Sequence, residues 1–354
     1  MHRVRVEKLE PGMIVARPIY SNDEKVLLNS GVVLKERFIR RLEELGIASI
    51  DIHDELGDYV PLDVISQATR NRAIQILRNS VNQVRLGKTL DLESVESCVS
   101  KIIDEVLSNR DILISLTDIR SFDNYTYGHC VNVAILSLVC GISVGLTPLE
   151  LRELTLGAIL HDIGKLRIPE EILNKPGRLT KEEYQSVIKH ASIGYELVKN
   201  ISKFPRRSAW VVYQHHERMN GSGYPQKLVG RQIDLLARIA AIADVYDAIT
   251  ADRIYQKGVL PAEAIHVLKS LGSYQFDPEL LAHFVKNIAL YPVGSIVLLD
   301  NGERGEVIGY DREMPNRPRV LVTHDATDRE LEPPFEYDLT QQLNRFIVKV
   351  ESAT

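Results

Sequence analysis

Two adjacent histidines, His215 and His216, stand at the centre of the stretch VVYQHHERMNGSGYP. Neighbouring residues on a helix point about 100° apart, so two imidazoles placed this way diverge from a single small ligand. Other groups of the same chemistry surround them in the sequence: His129, the pair His161-Asp162 just before Gly164, His190, and Asp244 inside RIAAIADVYDAI. An isolated carboxylate buried in such an apolar helix costs on the order of several kcal/mol unless a cation, a hydrogen-bond network or a proton compensates. Taken singly, each residue reads as an ordinary core or surface polar group. One histidine or His-Asp pair on each of several successive helices reads as a mixed nitrogen and oxygen metal centre inside a helical bundle. Two ions ~3.5–4 Å apart can share a carboxylate and a hydroxide. Asp162, with two oxygens to divide, is the natural bridge. His215 and His216 then face different ions, or one ion from a distorted helix end.

Such a pair of ions suits phosphodiester hydrolysis. It lowers the pKa of a shared water and offsets charge on the phosphoryl oxygens. Lys165, three residues after Asp162, is placed to reach a phosphate oxygen. The loop Gly221–Pro225 brings backbone close to a planar ligand through Gly223, with Tyr224 and Pro225 beside it, or else serves as a rigid turn supporting the metal helices. Glu217 reads as a structural partner rather than a base.

The elements that must position these groups are mostly helices. Residues 1–57 mix short strand patterns with one helix, whose face is Phe38, Ile39, Leu42 and Leu45 and whose stop is Gly46. Residues 58–120 form a polar helical connector. From 121 to 288 helical patterns dominate, with a capping box at Thr180 and Glu183. After Pro292 the period changes to strand, turn and strand. The expected fold is therefore mainly α, with a small α+β domain before the bundle and a β-rich module over 289–354.

Composition limits the partners. The chain has 354 residues, 44% of them apolar and 26% charged, with net charge −5. A DNA or RNA duplex is not the expected partner of such a chain. Cys98, Cys130 and Cys140 have no disulfide or metal spacing, which fits buried thiols of a cytoplasmic protein. The N-terminus lacks the apolar run of a signal peptide. VNVAILSLVCGISVGL, residues 131–146, is shorter than a ~20-residue membrane span and reads as a buried core helix.

HDIGKLRIP at 161–169, His190, HHERMNGSGYP at 215–225 and IADVYDAITADRIY at 242–255 together resemble the HD-GYP family, a branch of the HD-domain metal-dependent phosphohydrolases. The resemblance implies an HD-type helical bundle over 121–288. It implies metal ligation by His129, His161, Asp162, His190, His215, His216 and Asp244, and a phosphodiesterase that opens cyclic di-GMP to pGpG, with GMP as a possible further product. Asp162 and Lys165 carry the catalytic roles. Lys165, Gly223, Tyr224, Pro225, Arg253 and Lys257 are the substrate contacts. A non-catalytic dinucleotide receptor, and a phosphohydrolase acting on another cyclic dinucleotide, are the competing readings.

Two departures shape the expectation. Some members carry a glutamate four residues before the first histidine, for a third metal; this chain has Tyr125, so two divalent ions are expected, iron or manganese before zinc or nickel. The Arg-Pro-Tyr-Lys/Arg arm is here Arg253-Ile254-Tyr255-Gln256, with Lys257 one position late. The terminal domains also resemble extensions of relatives and are the expected seat of a homodimer or protein contact.

Overall fold

The computed structural model describes residues 2–16, 19–20, 26–29, 31–47, 49–52, 64–109, 125–251, 258–311 and 314–351. Its contacts divide the chain into two compact units. One is built from residues within 64–119 and 123–288, the other from the two ends of the chain, within 1–63 and 289–354.

In the terminal unit, β1 (His2–Arg5), β2 (Ile19–Tyr20), β3 (Val26–Leu28), α1 (Glu36–Glu44) and β4 (Ser49–Ile52) come from the N-terminal end. β1 pairs antiparallel with β4, and β2 with β3. Ile39 and Leu42 of α1 join Val4, Val6, Val15, Ile50 and Ile52 in one apolar cluster. Gly46 ends the helix at φ +68°, a conformation that glycine adopts without steric cost.

The C-terminal end contributes β5 (Ile296–Leu299), β6 (Arg304–Tyr310), β7 (Pro318–His324), β8 (Glu330–Asp338) and β9 (Ile347–Glu351). They form an antiparallel sheet in the order β8-β7-β6-β5-β9. Alternate residues of β6 are buried, and Val297, Leu299, Val307, Val320 and Val322 fill the core. The strand β8, ELEPPFEYD, places Leu331 and Tyr337 against this core. Most of its side chains are exposed, and its two prolines are tolerated because it is an edge strand.

The helical unit contains α2 (Gln67–Arg85), α3 (Leu92–Ser108), α4 (Tyr125–Val144), α5 (Pro148–Ile159), α6 (Glu170–Leu173), α7 (Lys181–Val187), α8 (Lys189–Lys199), α9 (Arg206–Gln214), α10 (Leu235–Thr250), α11 (Pro261–Gln275) and α12 (Pro278–Val285). Thr180 and Glu183 form the expected capping box on α7. The helix they cap ends at Val187, and His190 rides on the separate α8. α4 packs against α2, α3, α5, α10 and α12. By length and composition Thr126–Val144 is apolar enough to cross a membrane, but 78% of that window is buried inside the protein, as in a core helix. α10 is buried along nearly its whole length, so Asp244 and Asp247 are carried into the interior.

Candidate metal centre

Five helices or helix ends converge on one buried point. His129 lies in the second turn of α4, and His161-Asp162 follows the last turn of α5. His190 comes from α8, His215 caps α9 with His216 behind it, and Asp244 comes from α10. Their ligand atoms fall into two groups, each within 4.8 Å: Asp162, His190, His215 and His216; and His129, His161 and Asp244. Asp162 divides its oxygens between them. Its Oδ1 is 3.4 Å from His190 Nε2, and its Oδ2 is 3.4 Å from His161 Nε2 and 3.7 Å from His129 Nε2.

Local structure aims the imidazoles. The Nδ1–H groups of His161, His190 and His215 donate to the carbonyls of Ala158, Val187 and Val212, three residues back, at 2.7, 2.7 and 2.9 Å. Each ring is thereby fixed in the tautomer that leaves Nε2 facing inward. His216 joins the same ligand group as His215, with ring centroids 4.2 Å apart, while its Nδ1 lies 3.7 Å from Asp244 Oδ2 of the other group.

Close packing sets the frame. Gly164 lets the turn after Asp162 lie directly on α8; a Cβ there would stand 1.9 Å from the His190 carbonyl oxygen and 2.6 Å from Gly194 N. Gly223 does the same for the loop after His216, where a Cβ would meet three backbone atoms of residues 216–218 at 2.5 Å.

The electrostatics are those of a ligand set. Burial alone would raise the Asp162 and Asp244 carboxyls. The Lys165 ammonium at Asp162, and the His129 hydrogen bond at Asp244, outweigh it and hold both well below the usual carboxylate range. Burial pushes His215 and His216 far below the usual imidazole range and lowers His190 as well, keeping them neutral. Ionised carboxylates and neutral imidazoles are the states that bind cations. His129 differs: burial opposes its charge, but Asp244 and Asp247 raise it to about 10. His161 Nε2 and Asp162 Oδ1 are buried with no hydrogen-bond partner among the described residues. Buried polar atoms are rarely left so, and a cation supplies what both lack. The residues present fit a metal centre.

Around it, Lys165 Nζ donates to Asp162 Oδ2 at 2.5 Å, and its side chain is 30% exposed. The Tyr224 ring lies 4.7 Å from that of His216, and its N–H donates to the His216 carbonyl. Pro225 follows Tyr224 through a cis peptide. Glu217 is buried and accepts the backbone N–H of Gln226 at 2.6 Å and of Leu228 at 3.0 Å. It holds this loop, and both its oxygens are engaged. Arg253, Gln256 and Lys257 lie outside the described residues.

Sequence reasoning missed Arg218, which donates to the carbonyls of His215 and Glu217. It also missed Asp247 and Asn132, which hold the outer side of His129. Asp247 is three residues from Asp244, hence on the same helical face, and that spacing was the available signal.

A family model described as an HD domain matches residues 104–280, half of the chain. The chain belongs to the HD-domain family. Its HD-GYP character is carried by His161-Asp162 and Gly223-Tyr224-Pro225. A second model, a KOW domain associated with HD domain, matches residues 296–354, which hold β5 to β9. Among relatives of this HD protein, the cyclic di-GMP phosphodiesterase PA4108 of Pseudomonas aeruginosa is 37% identical over 269 residues, 76% of this chain and 65% of that one. A cyclic di-GMP phosphodiesterase of Thermotoga maritima is 34% identical over 63% of this chain and 60% of its own length. The 3'3'-cGAMP-specific phosphodiesterase 1 of Vibrio cholerae is 33% identical over 53% of this chain and 43% of its own. The chain spans less than two thirds of the length of each. Among solved structures, Bd1817, an HDG"Y"P protein from Bdellovibrio bacteriovorus, superposes with a TM-score of 0.53 at 22% identity, covering 80% of this chain and 98% of that one, and so shares the fold.

Proposed function

We propose that the HD unit is a metal-dependent phosphodiesterase that hydrolyses cyclic di-GMP to pGpG, with GMP as a further product. It would hold two divalent ions, iron or manganese. The observation that carries this reading is the convergence of His129, His161, Asp162, His190, His215, His216 and Asp244, with two buried ligand atoms that have no hydrogen-bond partner among the described residues. The names of the Pseudomonas and Thermotoga relatives support the dinucleotide. When bound, the ions supply a water activated near neutral pH and neutralise charge on the phosphoryl group.

The chain's own residues do the rest. Asp162 spans both ligand groups, so it sets their spacing. Lys165 is partly exposed beside Asp162, and its ammonium is the charge that holds a phosphoryl oxygen. Tyr224 forms a wall of the site next to His216; burial raises its phenol, which therefore stays neutral and available as a hydrogen-bond donor. Glu217 fixes the loop and takes no proton from water. Arg253 and Lys257 are proposed as further phosphate contacts. We take 121–288 as the catalytic domain, 58–120 as the connector, and the ends, 1–57 and 289–354, as the parts that contact partners.

The Vibrio relative supports a second reading, the same chemistry on a hybrid cyclic dinucleotide. Purification with and without oxygen, metal analysis, and chromatography after incubation with cyclic di-GMP and with the hybrid separate the two. Cleavage of neither by metal-loaded protein, or full activity after chelation, overturns the proposal.

A further inference from the structure

We infer that Arg70 is a positioning residue for the metal centre, acting through Asn132 and Asp247 on the orientation and tautomer of His129. The inference rests on the reading of His129 as a metal ligand. Arg70 sits in the first turn of α2 and is buried, as are the three residues that follow it in the chain of contacts. Its Nη1 donates to Asn132 Oδ1 at 2.9 Å. Asn132 Nδ2 donates to Asp247 Oδ1 at 2.8 Å. Asp247 Oδ2 accepts from His129 Nδ1 at 2.7 Å, leaving Nε2 facing Asp244 Oδ1 at 3.2 Å.

Each link leaves its neighbour one choice. A guanidinium only donates, so Asn132 must turn its oxygen to Arg70. Its amide N–H groups then face Asp247. The Asp247 oxygen 2.7 Å from His129 Nδ1 is matched by a proton on that nitrogen. The nitrogen left to ligate is Nε2. The donor at one end thus selects the ligating atom at the other.

This support differs from that of the other histidines. His161, His190 and His215 take theirs from a carbonyl one turn back on their own chain segment. His129 takes it from a residue 118 positions away. The relay starts on α2, outside the residues matched by the HD model. The turn that carries Arg70 is itself pinned: Ser66 N and Thr69 Oγ1 donate to the Glu105 carboxylate of α3 at 2.7 and 2.5 Å. A displacement of α2 would reach His129 directly.

Mn²⁺ titration of the metal-free full-length chain, with melting of the same samples, tests this. Asp247→Asn should weaken one of two Mn²⁺ ions by about 10–100-fold and leave the other unchanged. Arg70→Met should weaken the same ion by roughly 10-fold, and Arg70→Lys, which still donates to Asn132, should recover most of it. The Arg70→Met/Asp247→Asn double variant should bind no more weakly than Asp247→Asn alone, because both act on one path. If Arg70→Met does not fold, Asn132→Ala carries the same test in mid-relay. Wild-type Mn²⁺ binding by Arg70→Met, equal weakening of both ions, or additive effects overturn the relay. His129→Ala separates the two ideas. If it keeps both ions at full affinity, the ligand reading fails and the inference falls with it. If it loses one ion while Arg70→Met and Asn132→Ala lose none, the relay alone is wrong.

Discussion

Replacing Gly164 by alanine adds one methyl group where backbone already stands. The new Cβ would lie 1.9 Å from the His190 carbonyl oxygen, 2.6 Å from Gly194 N and 2.8 Å from the His190 carbonyl carbon. None of these atoms can rotate away. To bring the closest contact to 3.0 Å, α8 must retreat from the turn by about 1.1 Å. Metal–ligand distances tolerate only roughly ±0.2 Å. His190 Nε2, now 3.4 Å from Asp162 Oδ1 and 3.2 Å from His215 Nε2, would leave its group. Overpacking of this kind costs about 1–3 kcal/mol, or roughly 2–10 °C of melting temperature in a unit of this size. Metal analysis and melting of Gly164→Ala should show loss of one ion together with that shift. Gly272→Ala is the control, since its Cβ meets only a Leu281 methyl at 2.9 Å, which can move; it should keep both ions. Full metal content and a wild-type melting temperature in Gly164→Ala would refute the argument that this contact sets the position of His190.

Asp162→Ala should abolish hydrolysis and deplete both ions, because its oxygens face both ligand groups; a variant with full metal and full turnover would end the two-ion reading. Lys165→Ala should cut turnover or substrate affinity while metal content stays near normal, and metal loss would move Lys165 into the structural frame. Glu217→Gln should loosen the loop that carries Tyr224, seen as faster amide exchange at Gln226 and Leu228; unchanged exchange there would remove its assigned role. In chelated protein, His129 has a folded pKa raised from 6.5 to about 10. The folded state therefore binds the extra proton, and the stability it gives is full below about pH 6.5 and lost as pH rises through about 10. The melting temperature of the chelated protein should fall from pH 7 to 10, and a flat or rising curve contradicts this.

Much of the centre was legible because its donors are distinctive residue types at the ends or middles of helices with clear periodicity. HD before Gly164, the HH pair and Asp244 in an apolar run each stand out from their surroundings. What supports them was not legible. Arg70, Asn132 and Asp247 are joined across 62 and 115 positions, and nothing local in the sequence marks one polar group as the partner of another so distant. The strand β8 escaped for another reason: Leu331, Phe335 and Tyr337 do alternate with acidic residues, but Pro333 and Pro334 in its middle are a signal against a strand, and only its place at the sheet edge tolerates them. The helix face of α1 and the Thr180 cap were readable because their determinants lie within one turn of each other.

The carbonyl anchors of His161, His190 and His215 have a consequence for metal supply. Three ligands are oriented by carbonyls three residues back along the chain, independently of any ion, so loading requires little reorganisation of those rings and should be fast. Among the described residues the donors that converge are imidazole nitrogens and carboxylate oxygens without a thiolate, so the frame follows the general order of divalent affinities. Copper, nickel and zinc would then outcompete iron and manganese whenever they are free in solution. The ion found in the protein becomes a record of which metals were available where it folded, and expression in media of different metal content should yield differently loaded protein from the same sequence.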